Sequence, residues 1–127
     1  MEKVALNNVQ LDYLAHADPK LSQVFYGTVP CDGLPALVPA EGPTAYIVNT
    51  DPQDEPGKHW IALWTQDNVC EILDSYALPL EMYQTTDPLI DWLNRHYKYQ
   101  VTSGKTLQSV FSQSCGDYAL MFLVLKA

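Results

Sequence analysis

The sequence has no apolar run long enough to span a membrane, and its opening stretch MEKVALNNVQLDYL has neither the basic nor the apolar zone of a signal peptide. A soluble intracellular protein is the expectation, with no membrane partner. Paired cysteines are missing too. Cys31, Cys70 and Cys115 make an odd set with no CxxC spacing, which excludes a disulfide framework and a structural zinc site of the usual kind, so no metal is expected. Positive charge is scarce: seven bases face 15 acids, for a net charge of -8, and Lys3, Lys20, Lys58, Arg95, Lys98, Lys105 and Lys126 form no run. A phosphate backbone is repelled at long range by such a chain, so nucleic-acid binding is disfavoured. There is no repeat and no low-complexity tract. Residues 1–127 therefore read as one domain, and 47% hydrophobic content is enough for a core.

Leu6, Val9, Leu11 and Leu14 in LNNVQLDYL have helical spacing, and Asp18-Pro19 has the pattern of a cap followed by proline at a first helical position. A proline- and glycine-punctuated surface crossing follows, from Pro30 to Pro43. AYIVNT (45–50), HWIALWTQ (59–66) and VCEILDSY (69–76) are short, rich in β-branched and aromatic residues, and predict strands. The tight Asp67-Asn68 link predicts that the last two form an antiparallel hairpin. Asp87-Pro88 opens a helix with Leu89, Trp92, Leu93 and Tyr97 on one side; a strand near Tyr99–Thr102 and an extended piece near Thr106–Val110 lead to the last helix. That helix is apolar on nearly all sides from Ala119 to Leu125, which predicts a place in the middle of a core.

Cys115 stands just ahead of this helix. A helix N-terminus carries partial positive charge and free N–H groups that favour thiolate, Ser112 or Ser114 can cap it, and Gly116 admits the close approach of a substrate backbone. Taken alone, a cysteine is more often an inert buried hydrophobe. A nucleophilic thiol needs a base near neutrality, and three histidines are available. His16 and His96 lie in helix ends, where a cation is favourable for structural reasons. His59 begins a strand beside Trp60, which can wall a cleft. Asp74 ends the partner strand of the hairpin, at the same end of the sheet, and can orient the imidazole; as a turn residue in DSYALP it also has an ordinary reading. Gln108, seven residues before Cys115, can offer a side-chain N–H to a developing oxyanion, with Gln113 as a competing candidate.

The order His, Asp, Gln, Cys in KHWIALW, CEILDSYALPL and LQSVFSQSCGDYALMFL resembles the adenovirus-type cysteine proteases (adenain) and, more remotely, the SUMO- and NEDD8-specific proteases. FYGTVPCDGLP and AYIVNT extend the resemblance upstream to about Leu21. It implies an α+β, papain-like fold of the adenain type, with a central nucleophile helix packed on a mixed β-sheet. It implies Cys115 as nucleophile, His59 as base, Asp74 as orienting acid, Gln108 with the Cys115 amide as oxyanion hole, and Trp60 lining a glycine-selective groove. The implied activity is processing of capsid or core precursor proteins of an adenovirus-like virus or a Polinton/Maverick element, in the host nucleus or cytoplasm or packaged in virions.

The sequence departs from adenain in carrying aspartate at the acid position. The adenain activator-peptide cysteine corresponds to Gln100, and the chain is acidic, so neither the disulfide-linked peptide nor a DNA cofactor is carried over. The sequence also stops twelve residues after Cys115, so an apolar final helix calls for a cover: a partner such as a peptide activator, a second copy, or further chain. Two other functions fit the same residues: a ubiquitin-like-protein isopeptidase cleaving after Gly-Gly, and a non-catalytic binding domain on the same fold.

Overall fold

The structure, a computed structural model, describes residues 7–34, 42–49, 59–74, 87–102 and 115–127. In chain order these form helix α1 (Asn8–Ala17), a 3-10 turn (Leu21–Gln23), strands β1 (Phe25–Pro30), β2 (Thr44–Asn49), β3 (Trp60–Gln66) and β4 (Val69–Leu73), helix α2 (Asp87–His96), strand β5 (Tyr99–Thr102) and helix α3 (Cys115–Lys126). The strands make one sheet in the order β1-β2-β3-β4-β5, antiparallel through β2, β3 and β4 and parallel at both outer pairs. This is a mixed α+β fold.

Strand periodicity splits the apolar residues between two faces. Ala45, Ile47, Trp60, Ala62, Trp64 and Leu73 pack with Leu11 and Ala15 of α1 and Ala119 and Leu123 of α3. On the other face Tyr46, Val48, Ile61, Leu63, Cys70 and Ile72 pack with Leu89, Trp92 and Leu93 of α2. Every residue of β2, and all of β3 except Gln66, is buried, as strands covered on both faces must be. The β3–β4 hairpin turns at Asp67-Asn68 as expected, with Asp67 at φ 56, a left-handed conformation that aspartate tolerates better than most residues.

The structure differs from the sequence expectations at four places. Phe25–Pro30 is an edge strand, where the sequence patterns predict none. Its alternation is interrupted by an irregularity between Phe25 and Gly27, and Gly27 adopts φ 154, a conformation side chains rarely allow. Asp18-Pro19 opens a single 3-10 turn and not an α-helix: the Asp18 carboxylate accepts from the Lys20 and Leu21 amides at 3.0 and 2.8 Å, and the chain then extends into β1. Within the Pro30–Pro43 crossing, Cys31 and Leu34 turn inward and are fully buried in the α2-side core.

The fourth difference is α3. It lies on one face of the sheet instead of in the middle of a core. It buries a stripe at Gly116, Ala119 and Leu123, while Met121 is 55% and Leu125 78% exposed. A helix laid flat on a sheet can bury only one stripe, whatever the composition of its other sides. The extended piece expected near Thr106–Val110 lies outside the described residues. Among the described residues, no helix is long and apolar enough to cross a membrane.

Candidate active site

The hairpin brings His59 and Asp74 together. Ala62 pairs with Leu73 in the β3–β4 register, so the residue before β3 and the residue after β4 fall at one end of the sheet. There the His59 Nε2 lies 2.7 Å from Asp74 Oδ1, and both residues are 4% exposed. A carboxylate only accepts, so Nε2–H donates, and in the neutral ring the lone pair is then on Nδ1. A carboxylate held this way fixes the ring's orientation and stabilises the imidazolium, and its hydrogen bond is stronger than a neutral one.

Helix α3 delivers Cys115 to the same end of the sheet. A Cβ placed on Gly116 would lie 3.4 Å from Trp60 Cδ1, so the first turn of α3 sits against the first residue of β3. At the other end of the helix, the Lys126 ammonium donates to Glu71 Oε1 at 2.7 Å and lies 6.0 Å from the centre of the Trp64 ring. The two pins agree with the geometry of the elements. The helix rises about 15 Å from Gly116 to Lys126, and the strand about 13 Å from Trp60 to Trp64. Thus α3 runs alongside β3 with its positive, N-terminal end at the His59 end.

Of the six residues singled out in the sequence, His59 and Asp74 are in contact, and Trp60 and Gly116 pack against each other one residue along from His59 and Cys115. Cys115 is the first residue of α3, but its side chain is outside what the structure describes, and Gln108 lies outside the described residues. The bare face of Gly116, expected to admit substrate, is turned toward Leu11 and Trp60 and is buried. The contact of Leu11 with this glycine is not legible in the sequence, because helical periodicity marks Leu11 as a core residue without naming its neighbour.

The other histidines and cysteines have different surroundings. His16 Nδ1 lies 2.8 Å from the Asp12 carbonyl and its ring meets Phe25 edge-on, while the His96 ring meets Trp92 at a tilt of 58°. Cys31 and Cys70 are fully buried. Burial, with Glu71 beside it, pushes the Cys70 thiol up to about 12, so it stays protonated and unreactive near neutrality. Among the described residues, no cluster of three or more His, Cys, Asp or Glu side chains could hold a metal.

A mixed sheet flanked by α1 and α3 on one face and α2 on the other, with a helix start brought to the end of a central hairpin, makes an α+β fold that a cysteine protease shares. The particular likeness is to the crystal structure of the ASFV pS273R protease, with a TM-score of 0.58 and 13% identity over 96% of this chain. The chain spans 57% of that protein's length. A selenomethionine crystal of the same protease aligns over 67% of this chain and 34% of its own, at 20% identity and a TM-score of 0.48. No protein-family model matches the sequence, and no curated protein does.

Proposed function

We propose that the chain is a cysteine endopeptidase of the adenain-like and SUMO-protease-like kind, with Cys115 as nucleophile, His59 as base, Asp74 as orienting acid and Gln108 as oxyanion donor. The observation that carries this reading is the buried 2.7 Å contact between His59 and Asp74 at the sheet end where α3 begins. The fold shared with a protease supports it.

In this mechanism His59 Nδ1 takes the Cys115 thiol proton and the thiolate attacks the scissile carbonyl carbon. Negative charge then develops on the carbonyl oxygen, where the Cys115 amide and the Gln108 side chain donate hydrogen bonds. The imidazolium, held by Asp74, protonates the leaving amine as the C–N bond breaks and a thioester remains. His59 then deprotonates a water that attacks the thioester, and the thiol is regenerated. Trp60 bounds the groove at the base and favours glycine in the substrate. The substrates are precursor polypeptides of a virus or transposon particle, met inside a host cell or in the particle itself.

A peptide vinyl sulfone ending in Gly-Gly tests the reading. One equivalent is expected to add to Cys115, seen by intact and peptide mass, and Cys115→Ala is expected to take up none. A Cys115 that labels no faster than Cys31 or Cys70 at neutral pH overturns the proposal. Cleavage of SUMO or NEDD8 fusions alone, with glycine-containing precursor peptides left intact, moves the activity to the isopeptidase class.

A further inference from the structure

We infer that Leu11 of α1 is a positioning residue for Cys115, acting through the bare face of Gly116; this rests on the cysteine protease reading above. Leu11 is fully buried and reaches from α1 to the first turn of α3. A Cβ on Gly116 would stand 3.2 Å from Leu11 Cδ2 and 3.3 Å from Cδ1, closer than ordinary contact, with Trp60 Cδ1 at 3.4 Å. Glycine is what lets α1, β3 and α3 meet this closely, one residue from the nucleophile.

Leu11 can act as a stop because α1 is anchored without help from the site. Asn7 and Gln10 exchange side-chain-to-backbone hydrogen bonds at 2.9 and 3.0 Å as a capping box at the start of α1. Asp12, next to Leu11, accepts from the Thr28 amide at 2.9 Å and from its hydroxyl at 2.6 Å, which fastens α1 to the outer edge of β1. The Thr28 hydroxyl also lies 3.1 Å from the Asn8 carbonyl. Helix α3 is therefore held at its far end by Lys126 on Glu71 and at its near end by the seat of Gly116 against Leu11 and Trp60. That seat sets the height of the α3 start above the sheet, and so the distance from Cys115 to the imidazole. Displacing a reacting group by about 1 Å can cost roughly 10²-fold in rate.

The test uses Gly116→Ala, Leu11→Ala and the double variant in the full chain, reading the pH-rate profile of Cys115 alkylation by iodoacetamide with peptide mapping. Thermal melting is followed in parallel. By helix propensity alone, alanine at 116 is the better residue, so loss in that variant does not come from a weaker helix. Gly116→Ala is expected to slow Cys115 alkylation at neutral pH by about tenfold, because the added methyl demands a shift of a few tenths of an ångström. Adding Leu11→Ala to it is expected to recover most of that rate while lowering the melting temperature, a non-additive pattern a purely structural role would not give. Wild-type reactivity in Gly116→Ala, or a double variant no faster than Gly116→Ala, overturns the inference while leaving the protease reading intact. A wild-type Cys115 no more reactive than glutathione overturns the protease reading and this inference with it.

Discussion

His59 and Asp74 are two buried polar residues, and each supplies the other with a hydrogen-bond partner. On the proposed mechanism, Asp74→Asn keeps an acceptor oxygen for Nε2–H and loses only the charge, whereas Asp74→Ala loses both. Peptidase kcat/KM is expected to fall by roughly 10²-fold or more in Asp74→Ala and by clearly less in Asp74→Asn. Equal losses in the two variants would mean that orientation by the acceptor is not what Asp74 supplies. The pair was legible in the sequence because a two-residue hairpin link fixes which residues share a strand end. Gln108 illustrates the limit of that reasoning. A spacing of seven residues along the sequence carries no geometry by itself, whereas spacing across a hairpin does.

Among the elements, α1 and β1 depend on one carboxylate. Edge strands present unpaired N–H groups, and Asp12 takes the one at Thr28 together with the Thr28 hydroxyl. Replacing Asp12 with alanine leaves a part-buried amide without this acceptor and is expected to lower stability by about 1–3 kcal/mol, measured by urea denaturation. Asp12→Asn, which retains an acceptor oxygen, is expected to lose less; an unchanged midpoint for Asp12→Ala would show that water serves the strand edge as well. Strand β1 itself was hidden in the sequence by its own adaptations. The irregularity at Tyr26 and the glycine at φ 154 break the period of two, and Pro30, acceptable at the end of an edge strand, reads locally as a stop. Elements with one clear signal, such as the β-branched and aromatic run of β3 and the helical period of α2, were legible in the sequence. The all-apolar α3 was legible as a helix but not as to its face, since a pattern without polar residues has no direction to read.

Across the whole molecule, the α2-side core is less inert than its apolar composition suggests. Within it the Thr65 hydroxyl donates to the Thr44 carbonyl at 3.2 Å. Burial, reinforced in both cases by the nearby Cys70 and for Tyr46 also by Tyr97, raises both tyrosines above their ordinary 10.0, and burial carries Cys70 from 9.0 to about 12. The folded protein thus keeps protons that an unfolded chain releases. It binds more of them from about pH 9 upward, so stability falls as the pH rises through that window and is fully present below it. The slope is about 1.4 kcal/mol per pH unit for each such group once its unfolded pKa is passed. Urea midpoints are expected to hold steady to about pH 8.5 and drop steeply by pH 10.5, and Cys70→Ala is expected to soften the early part of the drop. A flat profile to pH 11 would contradict the closed core.

The direction of the strands bears on how the chain finds this structure. The three central strands follow one another in sequence and pair antiparallel, whereas β1 and β5 each join through a parallel pairing that needs a crossover, one of them carrying α2. Near-in-sequence pairings close at a lower entropic cost and form earlier, so β2, β3 and β4 are the natural folding nucleus and the outer strands add afterwards. In a stopped-flow chevron, Ile61→Val is expected to slow refolding and Val101→Ala to act mainly by quickening unfolding. On that order of events, the imidazole and its carboxylate, placed at the end of β3 and β4, are in position before the sheet has acquired its edges.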